Sequence, residues 1–481
     1  MTELARSRSD EVTELARSRS DEVTELVRSR SDEVTEPTVL SEEGVVAEVA
    51  GPARDTAPTG RAITAPPRGT TRLLVTGIGV VAPSGVGVEE HWQSLVRGEL
   101  RVGPIEGFDP SRYGVSLAGQ VRDFDPDRFV VPQLKVQTDR WTWMSLAAAT
   151  LAAEDAGYVP PEEAYATSVF LAAGSGGNEF SQHEIQRLWA RGPKSVGAYQ
   201  SIAWFYAAST GQVSIRDGYK GPSGVVVSEA AGGLDSFGWA RRVVRRGTPA
   251  VLVGGTEAGV TPYALLCQVT SGRLSTAARP EDAYKPFDRR ANGHVIGEGG
   301  AILLVEEADA ARARGARHVW GEVVGYGATH DAHHHEDPAP DATQYARAIR
   351  ISLADAGVTP EDVDLVVADG AGVPELDALE AQAITAVFGE RGVPVTAPSS
   401  WTGRLMAGGS ALNVATALLA MRDGLVPATG NVDEPVAEYG LDLVRENRES
   451  DLDVVVVLAR GFGGFNSSLV LRRHRPEEDP T

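Results

Sequence analysis

The stretch VVVSEAAGGLDS, residues 225–236, has the pattern of a turn built to present a nucleophile. An apolar strand runs into small residues, and a helix opens at Gly232. A side chain held at such a turn sits at the positive end of a helix. That position lowers the pKa of a thiol and offers backbone N–H donors to a developing oxyanion. The residue at the turn, however, is Ala230, and a methyl group supplies no chemistry. Ser228 and Glu229 are the neighbouring alternatives, but a serine with no base positioned beside it reads as structural. A second concentration of reactive types is HDAHHHEDP, which begins at His330 and holds four histidines and three acids. Imidazole and carboxylate are metal ligands. The spacing is not that of a helical histidine pair and a Pro-rich loop follows, so a polar loop beside a cleft is the preferred reading. Cys267 stands in the apolar run ALLCQ and reads as a buried, inert thiol. Arg241, Arg242, Arg245 and Arg246 form a basic helix face, read as solvated surface, with docking of an acidic partner as the alternative.

The elements that must position these residues alternate along the chain. A buried strand opens at RLLVTGIGVV, starting at Arg72. Its two glycines are not a dinucleotide fingerprint, because the third comes six residues after the second. The pattern predicts helices over 145–156, 179–190 and 232–246, and strands over 167–173, 224–228, 250–254 and 299–306. A similar series follows, with strands over 320–326, 363–368, 453–458 and 467–472 and helices over 344–356, 376–388 and 408–422. Short strands separated by helices predict a mixed α/β protein with helix-covered sheets. The half-and-half layout points to an internal duplication.

Before these elements the chain repeats. TELARSRSDEV occupies residues 2–12, recurs at 13–23, and recurs again at 24–34 with Val27 in place of alanine. Eleven is a helical period. Stripes as thin as Leu4 and Val12 cannot offset the entropy of ordering, and residues 36–71 are rich in Pro, Ala, Gly and Thr, so 1–71 is expected to be a disordered extension. The whole chain has 481 residues and a formal net charge of -21, which argues against nucleic acid as a partner. No apolar run approaches a membrane span, and the charged N-terminus lacks the apolar core of a secretory signal. A single cysteine excludes an internal disulfide. A cytoplasmic protein, not bound to membrane, is expected.

Four landmarks give the chain a likeness. They are VTGIGVVAPSG (75–85), PFDRRANGHVIGEGG (286–300), WTGRLMAGG (401–409) and GFGGFN (461–466). With them, residues 72–473 resemble a β-ketoacyl synthase of the thiolase fold. The runs GPKSVGAYQSIAWFYAASTGQVSIRDGYKGPS (192–223) and ADGAGVPELDALEAQAI (368–384) bring the resemblance closer, to the ketosynthase-β subunit or chain-length factor of type II aromatic polyketide synthases. The resemblance implies two pseudo-duplicated halves, 72–317 and 318–475, in five αβαβα layers, with a short tail at 476–481.

It also implies where the chemistry would be and that it has been removed. A working ketosynthase needs a cysteine where this chain has Ala230, a histidine where it has Asp369, a lysine where it has Ser399 and a second histidine where it has Arg404. Thiolate attack and decarboxylation of a malonyl unit depend on those groups. Asp369 and Arg404 fit the chain-length-factor pattern and are expected to form a buried ion pair. Ala230 departs from it, since that subunit usually carries glutamine there. The resemblance further implies a tunnel wall at Asn178, Ser181, Ile185 and Tyr263, a gate-like Phe462, and no cofactor or metal. The implied partners are a ketosynthase-α homologue and an acyl carrier protein bearing malonyl and polyketide groups on phosphopantetheine. Trp204, Phe205 and Tyr206 make the 192–223 run suited to the core of that interface. Two other readings stand beside this one. One is an active acyltransferase or malonyl decarboxylase using Ser228, Glu229 or the histidine loop. The other is a degenerate, self-associating structural protein.

Overall fold

The structure is a computed structural model that describes residues 71–475 apart from residue 164. The expected extension up to residue 70 and the tail at 476–481 lie outside the described residues.

Strands whose two faces are both covered carry apolar residues at almost every position, and the sequence supplies them. β1 is Leu73–Ala82, β2 Thr167–Ala172, β3 Gly224–Val226, β4 Ala250–Ala258 and β5 Glu298–Glu307. The second series is β6 Gly321–His330, β7 Leu365–Val367, β8 Pro394–Thr396, β9 Val454–Gly461 and β10 Phe465–Arg472. They hydrogen-bond in the order β8-β7-β9-β10-β6-β1-β5-β4-β2-β3. Outward from the centre, β1 pairs antiparallel with β5, β5 antiparallel with β4, β4 parallel with β2 and β2 parallel with β3. The other half repeats this: β6–β10 and β10–β9 antiparallel, β9–β7 and β7–β8 parallel. The halves meet where Leu74 and Val75 of β1 pair with Glu322 and Gly321 of β6.

Helices sort into three layers. α1 (Arg140–Ala156) and α3 (Ala208–Asp217) cover the outer face of the first half. α6 (Thr343–Ala356) and α7 (Pro374–Phe388) cover that of the second. Between the two half-sheets run α4 (Gly232–Val244) and α8 (Ala407–Asp423). Side-chain alternation confirms the layers. In β5, Ile302 and Leu304 pack with Trp141 and Met144 of α1, while Ala301, Leu303 and Val305 turn to the central layer with Leu234 and Leu412. In β9, Val455 and Val457 join that central layer, and Val456 and Leu458 face Ile349 and Leu353 of α6. A period of two with both faces apolar is the pattern of a sheet buried between helices. α8 is buried on nearly every side, and its alanines and glycines let two sheets approach it. At Gly408 a Cβ would meet the Gly299 carbonyl oxygen at 2.1 Å, so only glycine fits. The result is the αβαβα sandwich expected of the thiolase fold.

Most expected elements coincide with observed ones to within a few residues. The strand over 224–228 ends at Val226, because the chain turns into a 3-10 segment, Glu229–Ala231. β8 was not foreseen: three residues between a glycine-rich turn and Pro398 carry no periodicity. α2 (Asn178–Arg191) and α5 (Pro262–Val269) lie outside this sandwich. Cys267, expected to be buried, is exposed on α5. Ala264 and Leu265 face inward, leaving Leu266 and Cys267 outward, so this helix is apolar on its exposed face as well. Arg241, expected on a solvated face, is buried; it pairs with Asp355 and donates to the Val324 carbonyl at 3.0 Å.

Candidate functional site

The turn between β3 and α4 forms as the sequence implies. Ala230 lies in the 3-10 segment directly before α4, buried, and its carbonyl accepts a hydrogen bond from Ser410 Oγ of α8 at 2.5 Å. Glu229 carries the turn's irregularity, with φ at 49° in the left-handed region, where a side chain is unfavourable. Its carboxylate reaches across to accept the backbone N–H of Phe462 at 2.8 Å. Phe462 follows β9 in the loop GFGGFN. Gly461 allows that loop its closeness, since a Cβ there would meet the Ser228 carbonyl oxygen at 2.3 Å. An N–H at this place is the kind of donor that would hold an oxyanion. Here a fixed carboxylate occupies it.

Ser228 is tied into a hydrogen-bond network. Its hydroxyl donates to Asp235, and the same carboxylate accepts the Tyr326 hydroxyl at 2.8 Å and the Ser467 hydroxyl. Asp235 thereby ties α4 to β6 and β10, and the serine hydroxyl is part of that network.

Asp369 and Arg404 meet. Asp369 follows β7 and Arg404 precedes α8; Arg404 Nη1 lies 2.6 Å from Asp369 Oδ2, and Nη2 donates to the Arg460 carbonyl at 2.7 Å. Burial works against the charged guanidinium, but the carboxylates of Asp369 and Glu229 more than offset it and hold its pKa above the ordinary arginine value. Behind the pair, Glu380 of α7 accepts the N–H groups of Asp369 and Gly370, both at 2.8 Å, and the Tyr345 hydroxyl at 2.9 Å. Burial, and then the Asp369 charge, push the Glu380 carboxyl well above its usual range. Ser399 stands apart. Its hydroxyl donates weakly to the Asp369 carbonyl at 3.3 Å, and it does not line the cavity described next.

Glu229, Asp369, Arg404 and Phe462 surround a cavity of about 180 Å³, joined by His294, from the 286–300 landmark, and Arg460, at the end of β9. These last two were missed from the sequence. Both stand inside or beside landmark motifs, which was the only signal available. The histidine loop lies at the cavity mouth through Glu336, Asp337 and Pro338, as a polar loop beside a cleft would. His330 packs edge-on against Phe465 at 4.8 Å, and His334 Nδ1 accepts the N–H of Asp337 at 3.1 Å. Among the described residues, no group of three or more His, Cys, Asp or Glu side chains is arranged to hold a metal.

The residues assigned to a tunnel wall are brought together elsewhere. Asn178 and Ser181 are buried on α2, and Ser181 Oγ accepts from Gln200 Nε2 at 3.1 Å. Asp139 sets the helix in place: one oxygen caps α1 through the Trp141 N–H and the other accepts the Phe180 N–H at 2.8 Å. Gln182 Oε1 accepts the Tyr263 N–H at 2.8 Å, which brings α5 against α2. Ile185 and Tyr263 are exposed by 40 % and 46 %, so this face is open in the single chain. Tyr199, Ile202, Trp204 and Phe205 are exposed as well, on the segment leading to the outer strand β3.

Comparison with known proteins shows the family of the chain. Residues 70–311 match the model of the β-ketoacyl synthase N-terminal domain, and residues 320–433 that of its C-terminal domain. The tetracenomycin polyketide synthase ketoacyl synthase beta subunit of Streptomyces glaucescens is 51 % identical over 405 residues, 84 % of this chain and 98 % of that protein. The ishigamide ketosynthase/chain length factor structure superposes with a TM-score of 0.78 at 29 % identity, over 84 % of this chain and all of the compared one. The AntDE:AntF complex, a type II polyketide-synthase acyl-carrier protein with its ketosynthase bound to the hexaketide, gives a TM-score of 0.77 at 26 % identity, over 84 % of this chain and 100 % of that chain. No helix among the described residues is long and apolar enough to cross a membrane.

Proposed function

The chain belongs to the β-ketoacyl synthase family, among the ketosynthase β subunits, or chain-length factors, of type II polyketide synthases, and on that premise we propose that it is a non-catalytic subunit that sets chain length. It pairs with a Cys-bearing ketosynthase α, and the two together enclose the tunnel in which the polyketide grows. An acyl carrier protein delivers malonyl units and holds the chain on phosphopantetheine, in the cytoplasm.

The observation that carries this reading is the Asp369–Arg404 ion pair. A condensing site needs groups there that exchange protons and stabilise an enolate. The pair does neither, because each charge is held by the other and the guanidinium cannot give up its proton. Ala230 removes the nucleophile, and the Glu229 carboxylate fills the place of an oxyanion. Ser228, the remaining hydroxyl at the turn, is locked to Asp235, which disfavours an acyltransferase or decarboxylase acting through it.

The tunnel wall is assigned to Asn178, Ser181, Ile185 and Tyr263, with Phe462 as a gate-like residue. The exposed aromatic segment before β3 and the outer edge of that strand, unpaired among the described residues, supply a face for the partner. In this arrangement Ile185 and Tyr263 are closed over by the partner and become the inner wall.

Malonyl carrier protein, radiolabelled in the malonyl group, tests the non-catalytic part. Incubated with the purified chain alone it should leave no label on the protein and release no carbon dioxide. Acylation of the chain or decarboxylation without the partner would refute the proposal.

A further inference from the structure

The basic end of α4 has no part in the site described above. Past Val244 the backbone stays helical, with the Arg245 N–H on the Arg241 carbonyl at 3.2 Å and the Arg246 N–H on that of Val243 at 3.0 Å. Arg242, Arg245 and Arg246 are three and four apart, so they share one face, and all three are exposed. With Arg241 they line a groove of about 560 Å³ where α4 meets β6 and α6. The acids of that groove are Asp235 and Asp355, which leaves an excess of two positive charges in a chain whose net charge is -21. Neither acid is free to offset it. Asp235 already accepts the hydroxyls of Ser228, Tyr326 and Ser467, and Asp355 is held by Arg241, with Arg245 no closer than 3.9 Å. Arg242 and Arg246 meet no carboxylate among the described residues. A helix C-terminus carries roughly half a negative charge, too little to account for three guanidinium groups.

A run of rings joins this groove to the end strand of the sheet. Phe170 of β2 lies against β3, since a Cβ at Gly224 would meet its Cε1 at 3.1 Å. Trp239 of α4 stacks on Phe170, with ring centroids 5.5 Å apart and an interplanar angle of 3°. Arg242 in turn lies over the Trp239 ring at 4.5 Å. Strand, rings and guanidinium are therefore contiguous, and Trp239 is exposed by 40 % and Val227, directly after β3, by 52 %. Stacking also holds the plane of the Arg242 guanidinium, so less side-chain freedom is lost when its N–H groups meet an acceptor. Ile351 of α6 adds an exposed aliphatic side to the groove. Fixed cations beside an aromatic and an aliphatic surface suit carboxylate side chains carried on a protein segment.

We propose that this groove is the electrostatic part of the partner face, and that it receives an acidic segment of the ketosynthase α whose carboxylates meet Arg242, Arg245 and Arg246 while its apolar side lies on Trp239 and Ile351. The inference rests on the pairing proposed above and adds the chemistry that the partner must bring to it. Exposed charges at the border of a contact act mainly on encounter: they raise the association rate, make it depend on salt, and turn away surfaces that lack the opposite charge.

The test is the rate at which the full chain associates with its ketosynthase α, the two purified apart and mixed on a biosensor surface. Co-purification of the unaltered pair reports on the heterodimer by itself, so failure of that pairing and failure of this groove are read separately. Raising the ionic strength from about 0.01 M to about 0.15 M shortens the Debye length from about 30 Å to about 8 Å and should slow association of the unaltered pair about tenfold. Arg242→Glu, Arg245→Glu and Arg246→Glu together should slow it about tenfold or more at low salt, whereas lysine at the same three positions should leave the rate within about twofold. Glutamine at the three positions should remove most of the salt dependence, and it keeps the test decisive if the glutamate variant fails to fold. Association of the unaltered pair that is indifferent to salt overturns the inference. So does a glutamate or glutamine variant, with unchanged circular dichroism, that associates as fast as the unaltered chain. Self-association of this chain that the glutamate substitutions abolish, with the heterodimer unaffected, assigns the groove to a second copy and overturns it as well.

Discussion

Asp369 and Arg404 are stable only as a pair. Each is nearly buried, with 11 % and 13 % of its side chain exposed, and each loses its directly bonded counter-charge when the other is removed. Asp369→Ala should therefore lower unfolding stability by about 3 kcal/mol in urea titrations, and Asp369→Leu with Arg404→Met should recover most of that loss. A double variant as unstable as the single one would contradict the pairing argument. His91 gives a pH dependence at this same scale. It is buried between Ser84, at 2.6 Å from Nδ1, and Thr416, at 3.0 Å from Nε2, and burial lowers its pKa from 6.5 to about 3. The folded state keeps it neutral while the unfolded state protonates it. Its contribution is thus complete above pH 6.5 and falls away as the pH drops toward 3. At pH 5 the loss is about 2 kcal/mol, and His91→Gln should flatten the pH profile of the urea midpoint between 6.5 and 5. Residue identity in the sequence was enough to find Ala230, Asp369 and Arg404, because family motifs flank each of them. It was not enough for the Glu229–Phe462 hydrogen bond, whose partners are 233 positions apart, or for Cys267, whose apolar neighbours concealed a helix with an exposed apolar face.

Elements position these residues through backbone closeness more than through side chains. α8 lies against β5 where Gly408 faces Gly299 and Gly300, and no flexible side chain is there to move aside. Gly408→Ala should cost about 3 kcal/mol in thermal or urea unfolding, the upper end of ordinary overpacking, because one of two backbones must shift. A melting temperature equal to that of the unaltered chain would show that the central layer is looser than described. Long elements were legible from the sequence because periodicity accumulates over many residues: α6, β5 and β10 were found with ends within one or two positions. β8 and the end of β3 were not, since three residues carry no period and the nucleophile turn bends the chain away from the sheet. α5 escaped for a related reason. Its eight residues are nearly all apolar, so no face stands out.

At the scale of the whole molecule, the duplicated strand order gives two outer ends of one sheet, and they differ. β8 is followed at its edge by a further short pairing, Pro394 with Asp442 and Val395 with Leu443, whereas among the described residues β3 ends the sheet. The exposed Trp204 and Phe205 lie on the segment that leads to this end strand, which is where a second ketosynthase-fold subunit would seat. Phe205→Glu should abolish co-purification with the ketosynthase α while leaving the circular dichroism and melting of the chain itself unchanged, because half of that ring already faces solvent. Retained co-purification would move the interface elsewhere. The layered fold was legible before any coordinate because its pattern is set by long buried strands. The partner face was visible only as an excess of aromatic residues, since a single chain's sequence does not say which apolar residues remain uncovered. The central claim, that this subunit governs the length of a chain its partner makes, rests on the face of α2 that carries Asn178, Ser181 and Ile185. Those residues are three and four apart, so they share one side of the helix. The direct measurement is the mass of the polyketide released by the reconstituted heterodimer carrying Ile185→Trp. The larger ring should close the tunnel sooner and shorten the product by one or more two-carbon units, at a comparable rate of malonyl consumption. A product of unchanged length from an intact complex would contradict it.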